Sequence, residues 1–135
     1  MLNYLTAGLL LAAGPVFADD IVMFQAPSGN IHCMMIDGEY AETRCDIREF
    51  TPSFTDFPAD CEGDWGDSLG ISPGDRRGRA ICHGDTVMMQ ENPVIGYGNS
   101  IEHGGMTCEI AQQGVTCFNA GGAGFSIARA QQAVF

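Results

Sequence analysis

The sequence predicts an all-β fold, a small antiparallel sandwich or barrel that is stapled by disulfides and contains little helix. Short runs of alternating apolar and polar residues recur along the chain, and this period of two is typical of half-buried strands. Turns rich in glycine separate seven or eight such runs. Six cysteines occur among 135 residues, and an even number in so small a protein is typical of a disulfide framework.

The first 18 residues have the pattern of a secretory signal peptide. An apolar stretch is followed by Val16, Phe17 and Ala18, a small-x-small cleavage site, although no Lys or Arg supplies the usual positive start. The stretch is too short to span a bilayer, and no later segment repeats it. We therefore expect cleavage near Ala18, one mature domain of residues 19–135 without a membrane span, and a secreted or periplasmic location.

The first predicted hairpin holds two cysteines. Val22 and Phe24 share one face of the first strand, and an Ala-Pro-Ser-Gly turn follows. Ile31, Cys33 and Met35 then share one face of the next strand. Placing Cys33 opposite Cys45 also places Ile31 opposite Ile47, so the apolar residues of both strands share one face. This register predicts a hairpin closed by a disulfide.

The second cysteine hairpin repeats this arrangement with a clearer register. Alternation puts Cys108 and Ile110 on one face of a strand, and Val115 and Cys117 on one face of the next. If Ile110 lies opposite Val115, then Cys108 lies opposite Cys117, at the roughly 4.5 Å Cα separation of a non-hydrogen-bonded pair, close to what a disulfide accepts. The remaining four-residue loop ends at Gly114, which we expect to adopt a positive φ.

Between the hairpins, residues 50–79 show no clean hydrophobic period and carry six acidic residues from Asp56 to Asp75. We expect the segment to fold back over the core and to be tied down by a disulfide between Cys61 and Cys82. We expect this fold to bury the aromatic side chains of the segment. They are Phe50, Phe54, Phe57 and Trp65.

The acidic part of this segment is the candidate binding loop. Its carboxylates could also ring a calcium ion, but the EF-hand spacing and its terminal Glu are absent, so no metal is predicted. We favour a solvated loop whose acids pair with the nearby Arg76, Arg77 and Arg79. The candidate residues are Asp60, Glu62, Asp64, Trp65 and Asp67.

Further short strands are predicted towards the carboxyl end. Residues 80–82 and 86–89 flank a His-Gly-Asp turn, and residues 94–97 form another strand. A glycine-rich run, interpreted as a tight backbone crossing, precedes a closing strand at residues 125–129. Only residues 128–134 have fair helix propensity, over a short stretch.

All six cysteines follow the predicted cleavage site, which implies an oxidising compartment and three disulfides. Six cysteines permit 15 pairings. The absence of any C-x-x-C motif argues against a metal cluster. We predict sequential pairing: Cys33 with Cys45, Cys61 with Cys82, and Cys108 with Cys117.

Acidic residues dominate the charge of the chain. Seventeen Asp and Glu stand against six Arg, Lys is absent, and the formal net charge is −11. Such a charge disfavours the phosphate backbone of nucleic acids as a partner. It either serves solubility or steers a basic partner towards the protein, and the sequence leaves both open.

Five short motifs are spread over most of the mature chain: F-x-x-PSGNI-x-C at residues 24–33, C-x-GDTV at 82–87, YG at 97–98, GVTC-x-N at 114–119 and GF-x-I-x-R at 124–129. Together they resemble a family of small secreted bacterial proteins with six cysteines, catalogued only as a domain of unknown function. The resemblance implies export and disulfides and brings no activity with it. Ala123 departs from the pattern, because the resemblance leads us to expect histidine there.

The sequence offers little catalytic chemistry. No two histidines have metal-ligand spacing such as H-x-x-x-H, and we expect neither a serine nucleophile nor a free thiol. We therefore predict a non-catalytic binding module of the cell envelope, without cofactor, whose partner is a basic protein or an envelope component. The alternative is a small periplasmic or secreted hydrolase in which Asp85 acts with His83 or His103 as acid and base.

Overall fold

The computed structural model describes residues 20–135, and the predicted signal peptide lies outside them. The described residues form ten strands in two five-stranded antiparallel sheets and contain no helix. The all-β prediction is therefore confirmed, with more strands than the seven or eight expected. No helix long and apolar enough to cross a membrane occurs among these residues.

Each sheet is a meander in which consecutive strands pair. The first sheet contains, in order, β1 (Asp20–Gln25), β2 (Ile31–Asp37), β3 (Glu42–Ile47), β4 (Ser68–Ile71) and β5 (Arg79–Ala80). The second contains β6 (Ser100–His103), β7 (Met106–Ile110), β8 (Gly114–Asn119), β9 (Gly124–Ala128) and β10 (Gln132–Val134). Antiparallel neighbours need only a few connecting residues, which explains why most pairs follow one another along the chain.

The two sheets bury their inner faces in one hydrophobic core. Phe24 and Leu69 enter it from the first sheet, and Phe125 and Ile127 from the second, each at most 1% exposed. Burying a side chain of this size stabilises a fold by about 1.5–3 kcal/mol. The period-two alternation of the sequence thus separates the core face from the outer face of both sheets.

Both cysteine hairpins have the predicted register, and the three disulfides join the predicted pairs. In each hairpin the two bonded cysteines lie directly opposite each other, with Cα atoms 4.1 Å apart. The cross-strand pairs are Ile31 with Ile47, Cys33 with Cys45, Cys108 with Cys117 and Ile110 with Val115.

The prediction of a positive φ at Gly114 is wrong, because the described residues with positive φ do not include it. Ala111 and Gly114 exchange two backbone hydrogen bonds of 2.9 and 3.2 Å, which leaves only Gln112 and Gln113 at the tip. Glycine is needed for a different reason. A Cβ at this position would lie 2.1 Å from the carbonyl oxygen of Ile127 on β9.

The predicted crossing in the glycine-rich run is confirmed. A Cβ on Gly124 would lie 1.9 Å from the carbonyl oxygen of Cys117, and one on Gly78 would lie 2.0 Å from the carbonyl oxygen of Gly124. Real Cβ atoms do not approach this closely, so three backbone segments meet where only glycine fits.

Several strand predictions are wrong. The segment predicted as irregular contains β4, which is wholly buried in the first sheet because Ile81 covers Gly70 on the outer side. A strand of four residues buried on both faces shows no alternation. Residues 86–89 are irregular, and residues 94–97 form only an isolated bridge at Val94. The stretch with fair helix propensity, residues 128–134, is not helical, and its last three residues form β10, since pairing with β9 outweighs a weak local preference.

Candidate functional site

The connection between β3 and β4, residues 48–67, carries the predicted binding residues and is anchored near its start. The Thr51 amide donates to the carbonyl of Arg129 at 2.8 Å. Ser53 and Gln132 exchange two hydrogen bonds of 2.9 Å each, from each backbone amide to the side-chain oxygen of the other residue. These contacts fix the loop to the turn before β10.

The second half of the connection is held by covalent and backbone bonds. Cys61 is joined to Cys82, and Asp64 and His83 exchange backbone hydrogen bonds of 2.7 and 3.2 Å. Phe54 is half-buried and packs against the core, as predicted, whereas Phe57 is 57% exposed. The loop is therefore an ordered structure that presents an aromatic side chain to solvent.

The predicted binding residues fall into two groups. Asp60, Glu62 and Asp64 are exposed, and their carboxylates form no ion pair among residues 20–135. Trp65 and Asp67 are half-buried. The Trp65 indole N–H is buried without a hydrogen-bond partner, and Asp67 contacts His83. Only the first group faces solvent freely.

The predicted pairing of these acids with nearby arginines is wrong. Arg79 lies on β5, where its guanidinium contacts Glu42 at the start of β3 and Asp75 instead of the loop. Arg76 and Arg77 are exposed and form no ion pair with any residue that the structure describes. The carboxylates of Asp60, Glu62 and Asp64 thus have no paired positive charge among residues 20–135.

The loop carboxylates do not converge as calcium ligands. Within residues 20–135, one group of three or more potential ligand atoms lies within 4.8 Å of one another, and it consists of the Sγ atoms of Cys33, Cys45 and Cys117. These sulfurs belong to disulfides, which lack the thiolate that binds metals.

A buried ion cluster centred on Arg44 occupies the outer face of the first sheet. Arg44 contacts both carboxylate oxygens of Asp46, through Nε at 2.9 Å and Nη2 at 3.0 Å. Its Nε also donates to Ser68 Oγ, and its Nη1 to Asp85 Oδ1, each at 2.9 Å. The side chains of Arg44 and Asp46 are only 7% and 1% exposed. The sequence signal for this pair is two opposite charges separated by one residue on a strand, which places them on one face.

This cluster fastens the irregular segment that replaces the predicted strand at residues 86–89. The amide of Val87 donates to Asp46 Oδ2 at 3.1 Å. Asn92 then donates to the Val87 carbonyl at 3.0 Å and contacts His32 Nδ1 at 3.1 Å. The side chains of Asp46 on β3 and of Asn92 therefore satisfy the backbone groups of Val87, which a strand would pair in a ladder.

His83 and Asp85 are close in space but serve this same network. His83 Nε2 contacts Asp67 Oδ1 at 2.8 Å, and Nδ1 contacts the Asp85 carbonyl. Burial lowers the pKa of His83, but the hydrogen bonds and charge of Asp67 and the Asp85 carbonyl outweigh it and raise the pKa above its usual value. The hydrogen bond and charge of Arg44 lower the pKa of Asp85.

Among residues 20–135, no hydrogen bond joins the ring of His83 or His103 to the carboxylate of Asp85. Both ring nitrogens of His83 contact protein oxygens, and the Asp85 carboxylate accepts a hydrogen bond from Arg44. His103 lies on β6, where its Nε2 contacts the carbonyl of Asp20 at 3.0 Å. The three groups are therefore engaged in structural contacts.

The expectation of no serine nucleophile overlooked the sequence GDSLG at residues 66–70, which fits the G-x-S-x-G pattern. That motif normally places its serine on an exposed turn between a strand and a helix. Here Ser68 begins β4, is 0% exposed, and its Oγ contacts Arg44 instead of a histidine. The structural context thus gives Ser68 a place in the ion cluster.

A separate open cavity of about 710 Å³ lies where the end of β3 meets the turn before β10. Arg48 and Arg129 line it, and Arg129 is paired there with Glu49. The start of the same connection, residues 48–52, lines the cavity, but the cavity shares no residue with the candidate binding residues at 60–67 or with the ion cluster.

Comparisons with known proteins show one family relationship. The pattern of the family described as a family of unknown function (DUF6636) matches residues 4–135, nearly the whole chain. No curated protein and no solved structure matches the chain.

Proposed function

We propose that this chain, which belongs to the DUF6636 family of unknown function, is a non-catalytic binding module of the cell envelope whose partner is a basic protein or an envelope component. One observation carries the proposal. Asp60, Glu62 and Asp64 are exposed carboxylates without ion-pair partners among the described residues, on a loop held by a disulfide and a backbone bridge.

An anchored loop is suited to recognition because little conformational entropy is lost when it binds. Two anchors lie among the three carboxylates: Cys61 is bonded to Cys82, and the backbone of Asp64 pairs with that of His83. Exposed Phe57 supplies apolar area next to them in the chain. A net charge of −11 adds a long-range field that attracts a basic partner.

The proposed location is the periplasm or the exterior, with a mature domain of residues 19–135. Three disulfides support it, because such bonds persist in oxidising compartments. Amino-terminal sequencing of the protein recovered from the periplasm or medium should begin at Asp19, and recovery of the uncleaved chain from the cytoplasm would contradict the proposal.

The binding proposal is tested with a fluorescent lysine-rich peptide as a probe, by anisotropy over a range of salt concentrations. The test variant is Asp60→Asn/Glu62→Gln/Asp64→Asn. We expect binding about three- to tenfold weaker, because each exposed charge contributes a few tenths of a kcal/mol. Wild-type binding should weaken as salt shortens the screening length. Asp67 is left unchanged, because it contacts His83 inside the fold.

The matched control removes the same number of charges elsewhere. Glu91, Glu102 and Glu109 are exposed and form no ion pair in the described part of the chain, so their replacement by Gln changes the net charge equally. Equal weakening by both triple variants would show that total charge alone attracts the probe, and the loop would not be the binding face.

A further inference from the structure

The two hairpin disulfides meet at the centre of the sandwich. Cys45 Sγ in the first sheet lies 3.8 Å from Cys117 Sγ in the second. Cys33, Cys45, Cys108 and Cys117 are all 0% exposed. A separation of 3.8 Å is a non-bonded contact, so the two sulfurs touch although each is bonded to another cysteine.

We propose that Cys45 and Cys117 form a thiol–disulfide exchange pair that links the two sheets. When one hairpin disulfide is opened, the sulfur left in the contact attacks the other disulfide and creates an inter-sheet bond between Cys45 and Cys117. This inference is independent of the proposed binding function.

The exchange step is balanced without an oxidant. A dithiol reductant first opens the Cys108–Cys117 bond, giving two thiols while the reductant becomes a disulfide. The Cys117 thiolate then attacks Cys45 Sγ, the Cys33–Cys45 bond breaks, and Cys33 leaves as a thiolate that takes up a proton. One disulfide is consumed and one is formed, so this second step is redox-neutral.

The geometry favours one exchange product. Forming a disulfide requires the two sulfurs to approach by about 1.8 Å, from the contact distance to a bond length of about 2.05 Å. Disulfides that join the two sheets of a β-sandwich are known in immunoglobulin domains. The sulfurs of Cys33, Cys45 and Cys117 lie within 4.8 Å of one another, and Cys108 is outside this group. Cys117 Sγ is therefore the sulfur of the second hairpin that contacts Cys45 Sγ. Because Cys33 Sγ is also within 4.8 Å of it, the Cys117 side chain must rotate after the bond opens to reach the position in line with the Cys33–Cys45 bond.

The test compares two variants that lose the same disulfide and keep different sulfurs. Both are purified without reductant, denatured in acid, labelled with a thiol-specific alkylating agent and mapped by mass spectrometry. In Cys108→Ala, exchange moves the free thiol from Cys117 to Cys33. We therefore expect the label to be divided between Cys117 and Cys33, together with a Cys45–Cys117 peptide.

The control variant is Cys117→Ala, in which the remaining thiol at Cys108 should carry all the label and the Cys33–Cys45 bond should persist. Label confined to Cys117 in the Cys108→Ala protein would overturn the proposal. A second independent variant, Cys33→Ala, should give the same inter-sheet bond and release Cys108. Agreement between the two variants would exclude chance mispairing.

Limited reduction of the wild type tests the proposal where a variant fails to fold. Brief treatment with a dithiol, followed by acid quenching, should yield the Cys45–Cys117 peptide. Its yield should rise with pH, because the thiolate is the attacking species. Partly reduced protein that contains only native pairs at every pH would refute the exchange.

Discussion

Replacing Arg44 by methionine should destabilise the fold strongly, because it leaves the buried Asp46 carboxylate without its counter-charge. The Asp46 side chain is 1% exposed and receives two of its hydrogen bonds from Arg44. The variant also loses the contacts from Arg44 to Ser68 and Asp85. Removing one partner of a buried ion pair costs about 3–5 kcal/mol. For a domain of this size, that loss should lower the melting temperature by roughly 10–20 °C.

Urea unfolding with intact disulfides, followed by circular dichroism, measures the effect on the free energy of unfolding. Arg79→Met is the matched control, because Arg79 also contacts two carboxylates but its side chain is 40% exposed. Exposed pairs contribute about 0–1 kcal/mol, so the control should stay close to the wild type. The double variant Arg44→Met/Asp46→Leu should recover much of the loss, since it removes the unpaired charge.

Equal effects of Arg44→Met and Arg79→Met would refute the reasoning, because burial would then make no difference. A loss in the Arg44→Met variant that the second substitution at Asp46 does not reduce would show that packing, instead of the unpaired carboxylate, causes the destabilisation.

Two other predictions concern proton binding and backbone crowding. Burial lowers the pKa of His83, but Asp67 raises it by more. The contact between protonated His83 and Asp67 therefore stabilises the fold fully below the unfolded pKa of about 6.5, and this stabilisation is lost as pH rises through the folded pKa. The difference in unfolding free energy between wild type and Asp67→Asn should therefore be larger near pH 5.5 than near pH 8.5. A difference that does not change with pH would contradict this prediction. Gly124→Ala should cost about 2 kcal/mol or more, since its Cβ would meet the Cys117 carbonyl oxygen at 1.9 Å, whereas Gly84→Ala, with no atom within 4 Å, should cost about 0.5 kcal/mol or less. Equal melting temperatures of the two alanine variants would argue against the crossing.

The hairpins were predictable because each is a local structure with a strict period. A slip of one residue would move the apolar side chains of a strand from the core face to the outer face. Once Ile110 is placed opposite Val115, the position of Cys108 opposite Cys117 therefore follows. The same reasoning gives Cys33 and Cys45. The alternation of apolar and polar residues did not identify two short strands. In β4 both faces are buried, and β6 has only four residues, too few for its alternation to identify a strand.

The candidate site was predictable only in outline. The sequence identifies the acidic loop and the residues that it contains, but partners of charged side chains depend on which distant segments pack beside them. Arg79 contacts Glu42, 37 residues earlier, and Arg44 contacts Asp85, 41 residues later. The expectation that charges close in sequence would pair was therefore wrong for Asp60, Glu62 and the rest of the loop.

The sequence by itself determined the fold class, the two hairpin registers and the disulfides within them, because alternation acts over ten to twenty residues. The Cys61–Cys82 pair followed only from the assumption of sequential pairing. The tertiary structure alone decided which carboxylates stay unpaired, how Arg44 is buried, and that Cys45 and Cys117 touch at 3.8 Å across the core. The physical reason is that these features arise when one sheet packs against the other or a long loop closes on a sheet. Such contacts join residues far apart in the chain, and no local period records them.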